Sequence, residues 1–251
     1  MKIDDFYSFK KGNGKISMIT CYDWTSAIIL SKTPIDAVLV GDSIAMTIYG
    51  YNSTIYATAQ MMQAHTYAVK KALSDKLVIT DMPFMTFRKG KYYAVDVAGE
   101  FVKAGADAVK IEGLDGHEDV IEHLVKSGIA VMGHLGITPQ YEKTIGRFRK
   151  IGKKSDEAKK IEEDAKRLEE LGCFSLVLEC VDEEVAGRIT SMLKIPVIGI
   201  GSGSKTDGQI IVFHDILGLY PNPPSFVKIY DNISERIAKA ITEYVADVKR
   251  E

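Results

Sequence analysis

Long apolar runs are missing from this 251-residue chain. No stretch reaches the ~18 apolar residues that a membrane-spanning helix requires. The start of the chain, MKIDDFYSFKKGNGK, also lacks the apolar core of a signal peptide. Charge of one sign is not in excess either, since 32 basic and 34 acidic residues give a formal net charge of -2. These absences predict a cytoplasmic protein whose partners are neither membranes nor nucleic acids.

Cysteine is scarce, with three residues in the whole chain. Cys21 and Cys180 lie in apolar stretches, and no C-x-x-C pair suggests a zinc or redox site. An odd number of thiols in apolar surroundings is typical of a reducing compartment. Linkers, low-complexity tracts and breaks in composition are missing as well. Because 46% of the residues are hydrophobic, we predict a single domain over residues 1–251 with a large core.

What the chain does contain is a repeated unit, in which a short apolar run ends in a polar residue or glycine and a helical pattern follows. Nearly continuous apolar character is typical of strands in a parallel sheet covered by helices. The predicted strands are 16–22, 37–40, 77–80, 108–111, 129–132, 174–178 and 196–200, with 209–213 as a candidate eighth. The predicted helices include 58–73, 94–104, 119–126 and 155–171. This alternation predicts an α/β fold, a (β/α)8 TIM barrel, with an open doubly wound sheet as the alternative.

Polar residues stand at the ends of the predicted strands. The acidic ones are Asp23, Asp42, Asp81, Glu112 and Glu179. In a parallel barrel these ends all lie on one face, where such barrels place their active sites. Asp23 directly precedes a helical pattern, so we interpret it as a helix cap. His134, which follows the fifth strand, fits either a site residue or a satisfied interior histidine.

The other four carboxylates predict a cation at this face. Carboxylates that converge on one barrel mouth repel one another unless a cation or a proton intervenes. Without clustered cysteine or histidine ligands they suit a hard divalent ion, and magnesium (Mg2+) is the natural candidate. Lys110, two residues before Glu112, points to the same side of its strand and offers a positive charge to an anionic substrate group. One carboxylate could then act as a general base, but the spacing alone does not say which.

Eight sequence blocks resemble, in order, those of the ketopantoate hydroxymethyltransferase family. They are VGDSIAMTIYGY, TAQMMQAHTYAVKKA, DMPFMTF, GADAVKIEG, VMGHLGITPQ, FSLVLECV, IPVIGIGSGSKTDGQIIVFHDILGL and FVKIY. The resemblance extends from about Met18 to Tyr230 and so covers most of the chain. Several long blocks in the right order are far more specific than a lone glycine motif.

The resemblance implies a barrel of the pyruvate/phosphoenolpyruvate-type superfamily. Its members transfer a one-carbon unit from 5,10-methylenetetrahydrofolate to 3-methyl-2-oxobutanoate, which gives 2-dehydropantoate for pantothenate and coenzyme A. The implied residues are Asp42, Asp81 and Glu112 for magnesium, Asp42, Ser43, Asp81 and Lys110 for the 2-oxo acid, and Glu179 as proton acceptor. His134 is expected to border the pocket without a firm role. Large rings are usual in the family, so a homo-oligomer, as large as a decamer, is also implied.

One stretch and two alternatives limit this interpretation. Residues 141–154, YEKTIGRFRKIGKK, follow the family loosely, and if they contact the second substrate the carrier could be a modified pterin instead of folate. A magnesium-dependent C–C lyase on the same barrel is disfavoured, because the loop after Glu112 reads GLDGHED and lacks the cysteine of such lyases. A non-catalytic barrel that binds a phosphorylated ligand at residues 199–203, GIGSG, is disfavoured because the carboxylates would repel it.

Overall fold

The structure is a computed structural model that describes residues 2–10, 12, 14–146 and 149–250. The chain divides into two compact units, Met1–Ile210 and Ile211–Glu251. The single domain predicted over residues 1–251 stays a prediction. Two residues of the stretch 141–154, Arg147 and Phe148, lie outside the described residues.

Eight parallel strands close into a barrel in sequence order. They are β1 (Ile16–Thr20), β2 (Ala37–Val40), β3 (Leu77–Asp81), β4 (Ala108–Glu112), β5 (Val131–Gly136), β6 (Ser175–Glu179), β7 (Val197–Ile200) and β8 (Gly208–Ile211). Every residue of β2, β3 and β4 is buried. Strands that are covered by helices outside and filled by side chains inside have no solvent face, which is why their sequences are nearly continuous apolar runs. The predicted (β/α)8 barrel is confirmed.

Helices alternate with these strands. They are α1 (Ile3–Lys10), α2 (Trp24–Ser31), α3 (Ile44–Thr47), α4 (Ala59–Ala72), α5 (Lys91–Lys103), α6 (Glu118–Lys126), α7 (Glu142–Ile145), α8 (Ser155–Glu170), α9 (Glu183–Met192), α10 (Phe213–Ile216) and α11 (Ile233–Val248), with short 3-10 helices at Thr54–Tyr56 and Pro139–Tyr141. Asp23 caps α2, since its Oδ1 accepts a hydrogen bond from Ser26 N at 2.8 Å. Its interpretation as a helix cap is therefore confirmed.

The interior of the barrel is apolar at one end and ionisable at the other. Because alternate residues of a strand point to the same side, each strand contributes a series of inward side chains. These series run Leu77, Ile79, Asp81 on β3, then Ala108, Lys110, Glu112 on β4, and Met132, His134 on β5. At the apolar end Phe6 of α1 is fully buried, with its ring centroid 5.8 Å from that of Phe174. The carboxyl end of the same core is thus a buried polar cluster.

The fifth strand is longer than predicted. β5 continues to Gly136, beyond the predicted range 129–132. The ladder with β4 does not stop where the apolar residues stop, because His134 pairs in register with Glu112. His134 is therefore an inward residue of a strand and does not follow one, which corrects the prediction from the sequence.

The smaller unit contains α10 and α11. The predicted strand 209–213 is wrong at its end, because β8 stops at Ile211 and Phe213 is the first residue of α10, where the backbone turns helical. Within this unit Ile233 N donates to Leu217 O at 2.9 Å, which ties the start of α11 to the end of α10. None of the 16 residues of α11 is buried. Across the described residues, no helix has both the length and the apolar character to cross a membrane.

Candidate active site

Lys110 and Asp81 form a buried ion pair at the carboxyl ends of neighbouring strands. They are register partners on β4 and β3, and Lys110 Nζ lies 2.9 Å from Asp81 Oδ1. Burial opposes the charge on Lys110, but the surrounding carboxylates outweigh it and raise the pKa of the lysine above its usual value. Lys110 therefore stays positively charged at neutral pH.

Asp42 lies in the turn that follows β2, against the same ion pair. Its backbone N donates to Asp81 Oδ2 at 3.0 Å. The turn is tight, because a Cβ on Gly41 would lie 2.9 Å from Ser43 Oγ. Burial raises the pKa of Asp42 well above its usual range, and the negative charges of Asp81 and Glu112 raise it further. Asp42 thus needs a cation or a proton beside it.

Glu112, the last residue of β4, is the third buried carboxylate. Its Oε1 lies 4.0 Å from Lys110 Nζ, and its Oε2 accepts a hydrogen bond from Gln140 N at 3.0 Å. Burial acts to raise the pKa of Glu112, but the hydrogen bond and charge of His134, together with Lys110, lower it below its usual value. Glu112 is therefore ionised in a cluster where three carboxylates surround one lysine.

His134 connects this cluster to Glu179 on β6. Its Nδ1 lies 3.5 Å from Glu112 Oε1, and its Nε2 lies 3.3 Å from Glu179 Oε2, an ion-pair distance without hydrogen-bond geometry. Burial and Lys110 act to lower the pKa of His134, but the two carboxylates outweigh them and raise it to about 9. The Glu179 side chain is 19% exposed, whereas that of Glu112 is 3% exposed. Glu179 is thus the more accessible carboxylate, and the imidazole of His134 lies between it and the buried cluster.

Ser43 takes part in a contact that the sequence did not predict. Its Oγ lies 2.7 Å from the phenol oxygen of Tyr22. Tyr22 is buried, and that burial raises the pKa of its phenol above the usual value, so the phenol stays protonated. Tyr22 ends the predicted strand 16–22, where an aromatic residue gives no signal of a polar role. The hydroxyl of Ser43 is therefore positioned by Tyr22, which follows β1.

Ser202, in the glycine-rich stretch 199–203, holds the ends of β6 and β7 together. Its fully buried hydroxyl donates to Leu178 O at 2.7 Å and accepts from Val181 N at 2.9 Å. Between these partners Cys180 has a φ of 52°, which a non-glycine residue seldom adopts. Because its hydroxyl is engaged in the fold, Ser202 supports the position of Glu179 and gives no support to a phosphate site at this stretch.

Gln140 is the other residue of this cluster to which the sequence assigned no role. It stands in the block VMGHLGITPQ and belongs to the 3-10 helix Pro139–Tyr141 after β5. Its side-chain Nε2 donates to Asp42 Oδ2 at 2.8 Å. A polar residue directly after proline at a strand end was the available signal, but the spacing did not show which carboxylate it would reach.

The loosely matching stretch 141–154 lies beside the end of β6 where it is described. Ile151 forms a parallel bridge with Val181, and Cys180 O accepts from Ile151 N at 2.9 Å. Arg149 pairs with Glu157 of α8 at 2.6 Å. These contacts bring the stretch next to the residue that follows Glu179. Its contact with a second substrate stays a prediction.

The chain is similar to a known family and to named proteins along its whole length. The model of the family described as "Ketopantoate hydroxymethyltransferase" matches residues 1–251. The chain is 46% identical over 252 residues to a protein of Legionella pneumophila named 3-methyl-2-oxobutanoate hydroxymethyltransferase, with 100% of this chain and 96% of the relative covered. A protein of the same name from Coxiella burnetii is 46% identical over 251 residues, with 99% of this chain and 94% of the relative covered.

Solved structures share the fold at much lower identity. A 2,3-dimethylmalate lyase, a member of the PEP mutase/isocitrate lyase superfamily, has a TM-score of 0.64 at 14% identity, with 99% of this chain and 87% of that chain covered. A phosphonopyruvate hydrolase in complex with oxalate and Mg++ has a TM-score of 0.64 at 12% identity, with 100% and 88% covered. Likeness at these identities shows the barrel fold alone.

Proposed function

Because the chain belongs to the ketopantoate hydroxymethyltransferase family, we propose that it transfers a hydroxymethyl unit to 3-methyl-2-oxobutanoate and forms 2-dehydropantoate on the route to pantothenate and coenzyme A. The family suggested by the eight sequence blocks is confirmed. One observation carries the proposed reaction: a buried lysine, three buried carboxylates and a fourth, more accessible carboxylate meet at the same end of the barrel. This arrangement suits an acidic substrate from which a carbon-bound proton is removed.

We propose that magnesium is bound by Asp42, Asp81 and Glu112. Among the described residues, no three histidine, cysteine, aspartate or glutamate side chains are already arranged as ligands around one metal position. The donor set nevertheless fits a hard cation, because three buried carboxylates share a single lysine. Burial, together with the charges of Asp81 and Glu112, also raises the pKa of Asp42. The chemistry that such an ion supplies when bound is polarisation of a keto group and stabilisation of the negative charge that develops on its oxygen.

The protein's own residues have separate proposed roles in binding the substrate and in removing its proton. Lys110 offers a fixed positive charge to the carboxylate of the 2-oxo acid, and Ser43 and the oxygens of Asp42 and Asp81 complete its contacts. Glu179 accepts the proton from C3 of the substrate, and that carbon bonds to the methylene carbon of the donor. The two carbon–nitrogen bonds of the donor break, water supplies the hydroxyl group and one proton, and the C3 proton supplies the other proton that the carrier nitrogens gain. His134 Nε2 lies 3.3 Å from Glu179 Oε2, so the imidazole positions that carboxylate. Glu179 lies on β6, separated from the proposed metal ligands, so it is free to act as the base.

The one-carbon donor is proposed to be 5,10-methylenetetrahydrofolate, with a modified pterin as the alternative. If this chain uses a carrier other than folate, we expect the residues that select it to lie in the stretch 141–154, which contacts Cys180 and Val181. A product assay with each carrier in turn, in which 2-dehydropantoate is measured by mass spectrometry, decides between them. If no 2-dehydropantoate formed with either carrier, the proposed transfer would be contradicted.

We also propose that the protein forms a homo-oligomer and acts in the cytoplasm. Support for the oligomer comes from α11, which leaves apolar side chains exposed along its length. Support for the compartment comes from Cys21, Cys173 and Cys180, which are free thiols. Cell fractionation tests the second proposal, and the first is tested by the size of the particle in solution.

Proton exchange at C3 tests the proposed reaction directly. In deuterated water with magnesium, the C3 proton of 3-methyl-2-oxobutanoate should exchange without any folate, as followed by proton NMR. Glu179→Gln should slow exchange by about 10²–10⁴-fold while the 2-oxo acid still binds. Glu112→Gln should instead weaken metal and substrate binding together. Glu163→Gln, at an exposed carboxylate of α8, is the control and should exchange like the wild type.

Two outcomes would contradict these assignments. Exchange at the wild-type rate in Glu179→Gln would show that another group is the base. The absence of exchange with every divalent metal tried would remove the support for a 2-oxo acid enolisation at this site.

A further inference from the structure

Gln140 contacts groups at the carboxyl ends of three neighbouring strands of the barrel. Its side-chain Nε2 donates to Asp42 Oδ2 at 2.8 Å and to Met82 O at 3.0 Å, and its backbone N donates to Glu112 Oε2 at 3.0 Å. The residue is 3% exposed. A single residue after β5 therefore links the turn after β2, the residue after β3 and the end of β4.

The orientation of the Gln140 amide is set by its partners. The carbonyl of Met82, 3.0 Å from Nε2, only accepts hydrogen bonds, so a flipped amide would place two acceptor oxygens against each other there. The amide oxygen Oε1 is then left buried without a hydrogen-bond partner among the described residues. A buried carbonyl in that condition costs free energy, so the site is suited to a ligand that donates a hydrogen bond there.

The three carboxylates share one feature that follows from these contacts. One oxygen of each accepts from an N–H group: Asp42 Oδ2 from Gln140 Nε2, Glu112 Oε2 from Gln140 N, and Asp81 Oδ2 from Asp42 N. Gln140 supplies two of these three donors. The second oxygen of Asp81 faces Lys110 at 2.9 Å and that of Glu112 lies 3.5 Å from His134, so a cation bound here would share these oxygens with the two side chains. The hydrogen bonds from Gln140 would hold the side chains of Asp42 and Glu112 in place for it.

We propose that Gln140 is a positioning residue for the divalent cation. It anchors the carboxylates of Asp42 and Glu112, and its Oε1 accepts a hydrogen bond from a water molecule on the ion. A water bound to a cation directs its hydrogens outward, which makes it the donor that a buried amide oxygen lacks. The proposal rests on the proposed function in that the cation is the one used there.

Manganese, which gives an EPR signal when free in solution, serves as the probe of the purified full-length protein. Gln140→Met keeps the side-chain length but removes both the donor and the acceptor. We expect its manganese dissociation constant to rise by about 10–100-fold, the usual cost of losing such a supporting group. Gln140→Asn keeps an amide that is too short to span the two contacts, so it should also weaken binding. Gln63→Met is the matched control, because Gln63 donates to Glu100 at 3.0 Å on the outer helices.

A second readout separates positioning from a general structural role. If Gln140 acts through the cation, raising the manganese concentration should return the C3 exchange rate of Gln140→Met toward that of the wild type. Manganese affinity equal to the wild type in a folded Gln140→Met or Gln140→Asn protein would overturn the proposal. A wild-type protein that binds manganese but exchanges no C3 proton would instead overturn the proposed function, and the affinity comparison would still decide the role of Gln140.

Discussion

Lys110 is the residue whose removal tests the electrostatics of the site most directly. It stands 2.9 Å from Asp81 and 4.0 Å from Glu112, and all three side chains are buried. Removing one partner of a buried ion pair leaves an uncompensated charge and typically costs about 3–5 kcal/mol. We expect Lys110→Met to lower the free energy of unfolding by about that amount and to abolish binding of the 2-oxo acid. Urea unfolding followed by circular dichroism measures the first, and calorimetric titration the second.

Magnesium and a surface lysine provide the controls for this variant. Added magnesium should restore part of the lost stability, because the ion binds the folded state and supplies the missing positive charge. Lys126→Met, which removes an exposed ion pair with Glu122 on α6, should leave the unfolding free energy almost unchanged. If Lys110→Met were as stable as the wild type, the carboxylates around it would have to be protonated in the native protein.

At the scale of elements, the ends of β6 and β7 determine where Glu179 stands. Ser202 on the β7 side holds Leu178 and Val181, the residues on either side of the Glu179–Cys180 pair. Its loss should leave buried backbone groups without partners and relax the unusual conformation of Cys180. We expect Ser202→Ala to lower the free energy of unfolding by about 1–3 kcal/mol and to slow C3 exchange. Thermal unfolding and the NMR exchange assay measure the two effects.

A serine on a helix surface serves as the control. Ser191 of α9 donates to Gly187 O at 2.9 Å in an exposed position, so Ser191→Ala should change neither quantity appreciably. A Ser202→Ala protein that exchanged the C3 proton at the wild-type rate would show that β6 holds Glu179 in place without this clamp.

Several elements could be predicted from the sequence because their patterns have one physical origin. A strand buried on both faces reads as a continuous apolar run, so β1 to β7 were recognised, and the acidic residues that end those runs marked the polar end of the barrel. The end of β5 could not be predicted. Its ladder with β4 continues through Gly133 and His134, and pairing between strands is not written in the hydropathy of either strand.

Contacts between residues far apart in the chain could not be predicted from the sequence for the same reason. The pairs Tyr22–Ser43 and Gln140–Asp42 join residues brought together by closure of the barrel. Asp42, Asp81, Lys110, Glu112, His134 and Glu179 were each named as candidates from the sequence, but the order in which they touch, with His134 between Glu112 and Glu179, required the structure. Their roles in binding and catalysis stay predictions.

At the scale of the whole molecule, α11 carries an apolar stripe along one side. The exposed apolar side chains of this helix recur at helical spacing and are Ile237, Ile241, Tyr244, Val245 and Val248. Such a helix is polar on its other side, with Lys239 and Glu243 in an ion pair. An isolated helix of this length is marginally stable in water, so burial of the apolar stripe against another surface would stabilise it. A second copy of the chain fits this need and agrees with the proposed homo-oligomer.

A charge on the apolar stripe of α11 tests whether that surface is an interface between copies. Ile241 is 57% exposed in the single chain, so Ile241→Glu should fold normally if the chain acts alone. If copies associate through α11, the buried carboxylate would be costly and the particle should fall to a smaller size in light scattering after gel filtration. Lys239→Glu places a carboxylate on the opposite side of the same helix and should keep the wild-type size. A wild-type protein that runs as a monomer, or an Ile241→Glu protein of unchanged oligomeric size, would exclude α11 from the interface.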